Sequence, residues 1–272
     1  CVRGCHQVHG LNYDEQKTYA PVAERVSVRI LFAIAAAFQC FMETIDINMA
    51  FLYGLIDDDV YISLPNGIYF PNIPRPPVSR KKYAKLLKSL YGLKQAPSIF
   101  RGVLHSFLLL LHFLPSDSDP CLYYRWTDTF FILLAVHVDD ILIITNDQET
   151  LVDFKKKMKE KFSIKELGPL HNQEFLGSQI DYHQEDGILT VHCDRYIKES
   201  LEALGIDFSR SRPVSTPIVK LDSSSPIIPE NQLPPWNLRS LSGILTYATT
   251  TCRPDIAVAA SLLSATKWEA IT

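Results

Sequence analysis

Two adjacent carboxylates, Asp139 and Asp140, interrupt the otherwise apolar run Phe130-Phe-Ile-Leu-Leu-Ala-Val-His-Val-Asp-Asp-Ile-Leu-Ile-Ile-Thr145. Side by side they repel, and burying unpaired ions is costly. Two accounts fit. Asp is a good turn residue, and a pair at a hairpin tip faces water. Alternatively, a divalent cation offsets repulsion and desolvation together. A third carboxylate, Asp46, ends a short β-like run in Glu43-Thr-Ile-Asp46-Ile-Asn-Met-Ala-Phe51-Leu-Tyr-Gly54, just before a turn. Alone it reads as a cap. Together the three could hold two magnesium ions, which suits in-line displacement at a phosphate by a hydroxyl with pyrophosphate leaving. Ser89-Leu-Tyr-Gly-Leu-Lys-Gln-Ala-Pro-Ser-Ile-Phe100 adds a further set. Gly92 permits close backbone approach, Pro97 suits the first turn of a helix, and Lys94 offers charge to a phosphate.

The elements that must position these residues alternate along the chain. Residues 26–41 are apolar almost all round and predict a buried helix. Residues 44–47 read as a short strand. Asn66-Gly67 and the proline-rich residues 71–77 mark a loop. Residues 98–114 predict an apolar helix, and 130–138 with 141–145 a hairpin. Residues 148–162 read as an amphipathic helix and 188–192 as a strand. Asp194 is placed to cap a helix over 195–204, with Gly205 past its end. Residues 209–235, rich in Ser and Pro, read as a linker. Helices at 238–251 and 255–267 close the chain. The mixture predicts an α+β fold, a small sheet backed by helices.

The 272 residues are 47% hydrophobic and 21% charged, with a mean hydropathy of +0.03. That composition excludes disorder, and the net charge of −3 excludes a histone-like binder. The charge is uneven. Residues 60–116 contain no Asp or Glu but hold Arg75, Arg80, Lys81, Lys82, Lys85, Lys88, Lys94 and Arg101, a surface suited to phosphates. The later lysines 155, 156, 157, 159, 161 and 165 interleave with acids and read as a solvated helix face. Six cysteines without a CxxC pair read as reduced thiols. No apolar run reaches the length of a membrane span, and the opening on Cys1 in polar sequence reads as a piece of something longer.

Seven phrases in order carry a resemblance: Tyr19-Ala-Pro-Val-Ala23, Asp46-Ile-Asn-Met-Ala-Phe-Leu-Tyr-Gly54, Ser89-Leu-Tyr-Gly-Leu-Lys-Gln-Ala-Pro97, Ser118-Asp-Pro-Cys-Leu-Tyr-Tyr124, Val138-Asp-Asp-Ile-Leu142, Leu167-Gly168 with Phe175-Leu-Gly177, and Arg253-Pro-Asp-Ile-Ala257. Over nearly its whole length the chain resembles the reverse transcriptase of copia-type LTR retrotransposons. The resemblance implies a right-hand polymerase fold. Its fingers would be residues 1–42 and 55–100, its palm 43–54 and 101–187, and its thumb with the start of a connection 188–272. It implies RNA-directed DNA synthesis with Asp46, Asp139 and Asp140 as catalytic residues on two Mg2+ ions, for which Mn2+ can substitute. Nucleotide would meet Arg29, Met49, Ala50, Phe51 and Gly92. Phe51 falls on the aromatic gate that leaves no room for a ribose 2′-hydroxyl, a role compatible with core packing. Template-primer would meet Lys94, Pro97 and His137. Implied partners are an RNA or DNA template-primer, dNTPs and the RNase H and integrase domains of a parent polyprotein, with no membrane. The implied setting is an intracellular, cytoplasmic virus-like particle.

The chain departs from the family's pattern at named positions. His137 stands where Tyr is usual, Asn48-Met49 replace Lys-Thr, and Glu24 occupies a position that is usually basic, with Arg25 displaced by one. His171-Asn-Gln-Glu174 reads as a short insertion. These departures support a second reading, a catalytically inactive remnant that keeps the fold and at most binds nucleic acid.

Overall fold

A computed structural model describes residues 2–64, 83–206, 212, 214–217 and 237–265. The chain divides into two compact units, Cys1–Pro169 with Gln184–Gly187, and Leu170–His183 with Ile188–Thr272. The expected mixture of helix and sheet is present, and the fold is α+β.

The first unit is built on an antiparallel sheet. Its strands are β1 (Phe41–Ile47), β4 (Leu114–Pro115), β5 (Leu122–Trp126), β6 (Phe131–His137), β7 (Asp140–Thr145) and β8 (Ile164–Pro169), in the order β4-β5-β6-β7-β1-β8. Strands β6 and β7 lie at the centre because their runs are apolar without alternation, which only burial on both faces satisfies. Ile132, Leu134, Ile141, Leu142, Ile143 and Ile144 are all buried. One face carries α2 (Ala96–Leu110) and α3 (Gln148–Lys161), whose Phe100, Leu104, Leu108, Leu151, Phe154 and Met158 close a core over Ile45, Ile47, Ile132 and Ile143. Helix α1 (Arg25–Ala37) lies against β7. A two-stranded ribbon, β2 (Tyr61–Ser63) with β3 (Tyr83–Lys85), completes the described part.

Several expectations are corrected. Helix α1 is amphipathic: Val28, Leu31, Phe32 and Ala35 are buried, whereas Val26 and Ile30 are exposed. The strand expected at 44–47 extends back to Phe41. Helix α2 starts at Ala96, with Pro97 in its first turn as its fixed φ favours. The second lysine cluster is not simply a solvated face. Lys155 Nζ, on a side chain only 15% exposed, lies 2.7 Å from Glu43 Oε2 and 2.9 Å from Glu166 Oε2. It thereby joins α3 to β1 and β8, while Lys157 makes the expected helical-surface pair with Asp153 at 2.8 Å.

The second unit holds a three-stranded antiparallel sheet of β9 (Gln173–Phe175), β10 (Ser178–His183) and β11 (Ile188–His192), with helices α4 (Asp194–Ala203), α5 (Leu238–Thr251) and α6 (Ala257–Ala265). Cys193, not Asp194, holds the cap position of α4. Asp194 is its first residue, where its charge still complements the helix dipole. Cys193 and Cys252 form a disulfide, which corrects the expectation that all cysteines are reduced. They are 59 residues apart, so no local spacing betrays the pair. The loop expected at 66–77 and the end of the last helix lie outside the described residues, as does most of the linker at 209–235.

Candidate active site

The aspartates are brought together by strand register. Asp46, next to last on β1, is the Cα partner of Asp140, the first residue of β7. On its other side Asp46 pairs with Lys165 of β8. His137 pairs with Asp140, so Val138 and Asp139 alone form the turn between β6 and β7. The Asp139 carbonyl accepts from the Ile47 N–H at 2.9 Å, pinning that turn to the end of β1. Val138 sits at φ +60°, a left-handed conformation that costs a β-branched residue on the order of 1–3 kcal/mol. The turn and hydrogen bond therefore hold Asp139 against local preference.

The three carboxylates influence one another electrostatically. Burial, then the charges of Asp139 and Asp46, push the Asp140 carboxyl up to about 6. Burial and Asp139 raise that of Asp46, which Lys165 partly offsets. Tyr91 is raised by burial and then by Asp139 and Asp46, so its ring belongs to the same site. The three carboxylates do not form a closed cage within 4.8 Å of one another. Lys165 offsets part of that charge, and an open set of this kind would leave a divalent ion to draw its other oxygens from water or substrate phosphate.

A second wall faces the aspartates. Met49, at φ +52°, turns the chain from β1 into a short 3-10 turn, Ala50–Tyr53. Met49 is exposed and Ala50 fully buried. The Phe51 ring packs on Tyr91 at 4.4 Å between centroids and reaches Phe100 at 6.3 Å. Its carbonyl accepts from the Ser89 hydroxyl. Gly54 ends the turn against α2, where a Cβ would collide with the Ile99 side chain. Gly92 follows Tyr91 at φ +98°, which only glycine adopts without strain.

The basic candidates are placed as follows. The Lys94 ammonium donates to the Tyr13 hydroxyl at 2.7 Å and lies 4.2 Å over that ring. Pro97 lines a small apolar cleft with Phe100, Leu104, Tyr123 and Val138. Arg29 is an exposed residue in the middle of α1. His137 is half-buried. Burial lowers the pKa of its ring, with Asp139 opposing and Arg25 assisting, and its Nδ1 is buried without a hydrogen-bond partner. Of the acid-free stretch, Lys85 pairs with Asp59, while Arg75, Arg80, Lys81 and Lys82 lie outside the described residues.

Sequence reasoning missed four residues. Tyr91 backs Phe51, and its signal was its place directly before Gly92. Gln95 is 1% exposed and donates to the Asn12 carbonyl at 3.0 Å and to Asp58 at 2.9 Å, while accepting from Gln7 at 2.9 Å. Asp119 accepts from the N–H groups of Glu24 and Cys121 at 3.0 and 2.9 Å, anchoring the start of α1. Burial opposes its ionisation, but these bonds and the Ser27 hydroxyl hold its carboxyl below the usual range. Lys165 meets Asp46 only through β8 pairing, which no local pattern announces.

Comparison with known proteins gives a consistent result. Residues 1–220 match the family described as reverse transcriptase (RNA-dependent DNA polymerase). The retrovirus-related Pol polyprotein from transposon TNT 1-94 of Nicotiana tabacum is 33% identical over 97% of this chain and 19% of its own length. The corresponding polyproteins from transposons RE1 and RE2 of Arabidopsis thaliana are each 34% identical over 96% of this chain and 17% of theirs. The chain thus spans about a fifth of these relatives.

Proposed function

The chain belongs to the reverse transcriptase (RNA-dependent DNA polymerase) family, and on that premise we propose that it extends a primer with deoxynucleotides on an RNA template within a copia-type Pol polyprotein. The observation that carries the reading is the meeting of Asp46 and Asp140 across β1 and β7, with Asp139 fixed in the adjoining turn. Asp46, Asp139 and Asp140 would hold two Mg2+ ions, replaceable by Mn2+. The ions would offset the negative charge of carboxylates and phosphates and favour ionisation of the primer hydroxyl.

The reaction is attack of the primer 3′-hydroxyl oxygen on the α-phosphorus of a dNTP. The new P–O bond replaces the bond to pyrophosphate, and the hydroxyl proton passes to solvent. Phe51, braced by Tyr91 and Phe100, would exclude a 2′-hydroxyl by occupying its space. Met49, which is exposed, and Ala50 are proposed to offer their backbone N–H groups to the triphosphate. Arg29 and Gly92 are proposed on the nucleotide side, with Lys94, Pro97 and His137 on the template-primer side. The division into fingers, palm and thumb, the RNase H and integrase partners and the particle-borne setting belong to the same proposal.

A second reading, a folded chain that has lost catalysis, draws on His137, whose buried Nδ1 lacks a partner beside the metal turn. Primer extension on an RNA template with Mg2+ tests both. The wild type is expected to incorporate dNTPs, and Asp139→Asn to lose about 10³-fold or more. Equal extension by both proteins would sink the assignment. An inert wild type rescued by His137→Tyr would establish the second reading.

A further inference from the structure

The second unit contains a cluster that the polymerase reading does not use. His171, Asp181 and His183 each offer one ligand atom, all lying within 4.8 Å of one another. His171 Nδ1 is 2.8 Å from Asp181 Oδ1, and His183 Nε2 is 3.3 Å from Asp181 Oδ2. The two imidazole rings stand nearly perpendicular, 5.2 Å apart. Strand geometry explains half of this. Asp181 and His183 are two apart on β10 and therefore share a face. The other half comes from the turn before β9. The Tyr182 N–H donates to the Leu170 carbonyl at 3.1 Å, and Asn172 adopts φ +53°, which carries His171 over β10. Opposite, on β11, the register places Thr190 against Asp181 and Ile188 against His183, so that strand brings no charge to the site.

Within the cluster, Asp181 Oδ1 is buried yet makes no well-formed hydrogen bond, despite its proximity to His171. A carboxylate oxygen taken from water without a proper donor calls for another positive partner. Two imidazole nitrogens and one carboxylate oxygen form a donor set for a borderline divalent transition ion. It suits Zn2+ in a tetrahedral site with one position left to water, and it does not suit Mg2+, which prefers oxygen alone. We propose that His171, Asp181 and His183 bind one Zn2+ ion, which clasps the turn before β9 onto β10.

The test uses the whole chain, carrying no histidine tag and stripped with EDTA. Zn2+ is titrated in competition with a chromophoric chelator. Co2+ serves as the spectroscopic probe. One Zn2+ per chain is expected, with affinity weakened about 10- to 100-fold in His171→Asn and in His183→Asn but unchanged in the control His9→Asn. Co2+ should give the intense visible band of a tetrahedral site in the wild type and lose it in both variants. Zn2+ should raise the melting temperature of the wild type, reversibly with EDTA, and not that of the variants. Circular dichroism of the metal-free variants guards against misfolding, and His171, in a turn, is the substitution least able to disturb the sheet. Zn2+ affinity unchanged in both variants, or displacement of Zn2+ by millimolar Mg2+, overturns the proposal.

Discussion

Asp140 is held in its ionised form at a cost. Its carboxyl has a folded-state pKa of about 6 against an ordinary 3.8. The metal-free folded chain therefore binds the extra proton between these values. It loses stability as pH rises through that window, and the penalty is complete above about 6. After allowance for solvent screening the cost is about 1 kcal/mol. Asp140→Asn is thus expected to melt a few degrees higher than the metal-free wild type at neutral pH, and equally with it near pH 4, while losing nucleotide incorporation. Thermal melts in EDTA at the two pH values check this. Phe51 carries a second prediction. Phe51→Ala should raise ribonucleotide incorporation relative to deoxynucleotide by about 10- to 100-fold in single-nucleotide assays. Since its ring also packs on Tyr91 and Phe100, the same change should destabilise by about 1–2 kcal/mol.

At the scale of elements, the sequence was most legible where one period dominates. The hairpin of β6 and β7 and the helices α3 and α5 were read within a residue or two, because their apolar patterns have only one compact solution. Strand β10 alternates buried Ile180 and Tyr182 with more exposed neighbours, but it is short and was missed. Strand β8, Ile-Lys-Glu-Leu-Gly-Pro, is an edge strand with two exposed charges, and nothing in it signals pairing with β1. That pairing nevertheless brings Lys165 to Asp46. The aspartates themselves were legible as charges out of place, whereas Tyr91, Gln95 and Asp119 act through contacts across long sequence separations. Lys155 shows why such contacts matter. Removing it would leave the largely enclosed Glu43 without its cation, while the more exposed Glu166 would keep Lys159. Lys155→Met should therefore cost about 2–4 kcal/mol in urea denaturation. Lys157→Met, at an exposed helical pair, should cost under about 0.5 kcal/mol.

For the molecule as a whole, the net charge of −3 hides a division of labour. An acid-free stretch at 60–116 supplies cations, and acids elsewhere include the proposed metal ligands. The two compact units also differ in what holds them. The first has a large apolar core over its sheet. The second has the Cys193–Cys252 disulfide, which closes a 59-residue span. A loop of that size stabilises by about 4 kcal/mol in the chain-entropy account. Reduction is expected to lower the unfolding transition of the second unit and leave that of the first in place, as hydrogen exchange with and without dithiothreitol can show. The central claim, that Asp46, Asp139 and Asp140 together hold the divalent ions, is tested most directly by Mn2+ binding followed by electron paramagnetic resonance. The His183→Asn background keeps the second cluster silent. The account predicts Mn2+ bound in the presence of a dNTP, displaced by Mg2+, and weakened at least about 10-fold by either Asp46→Asn or Asp139→Asn. Mn2+ bound equally well by all three proteins would contradict it.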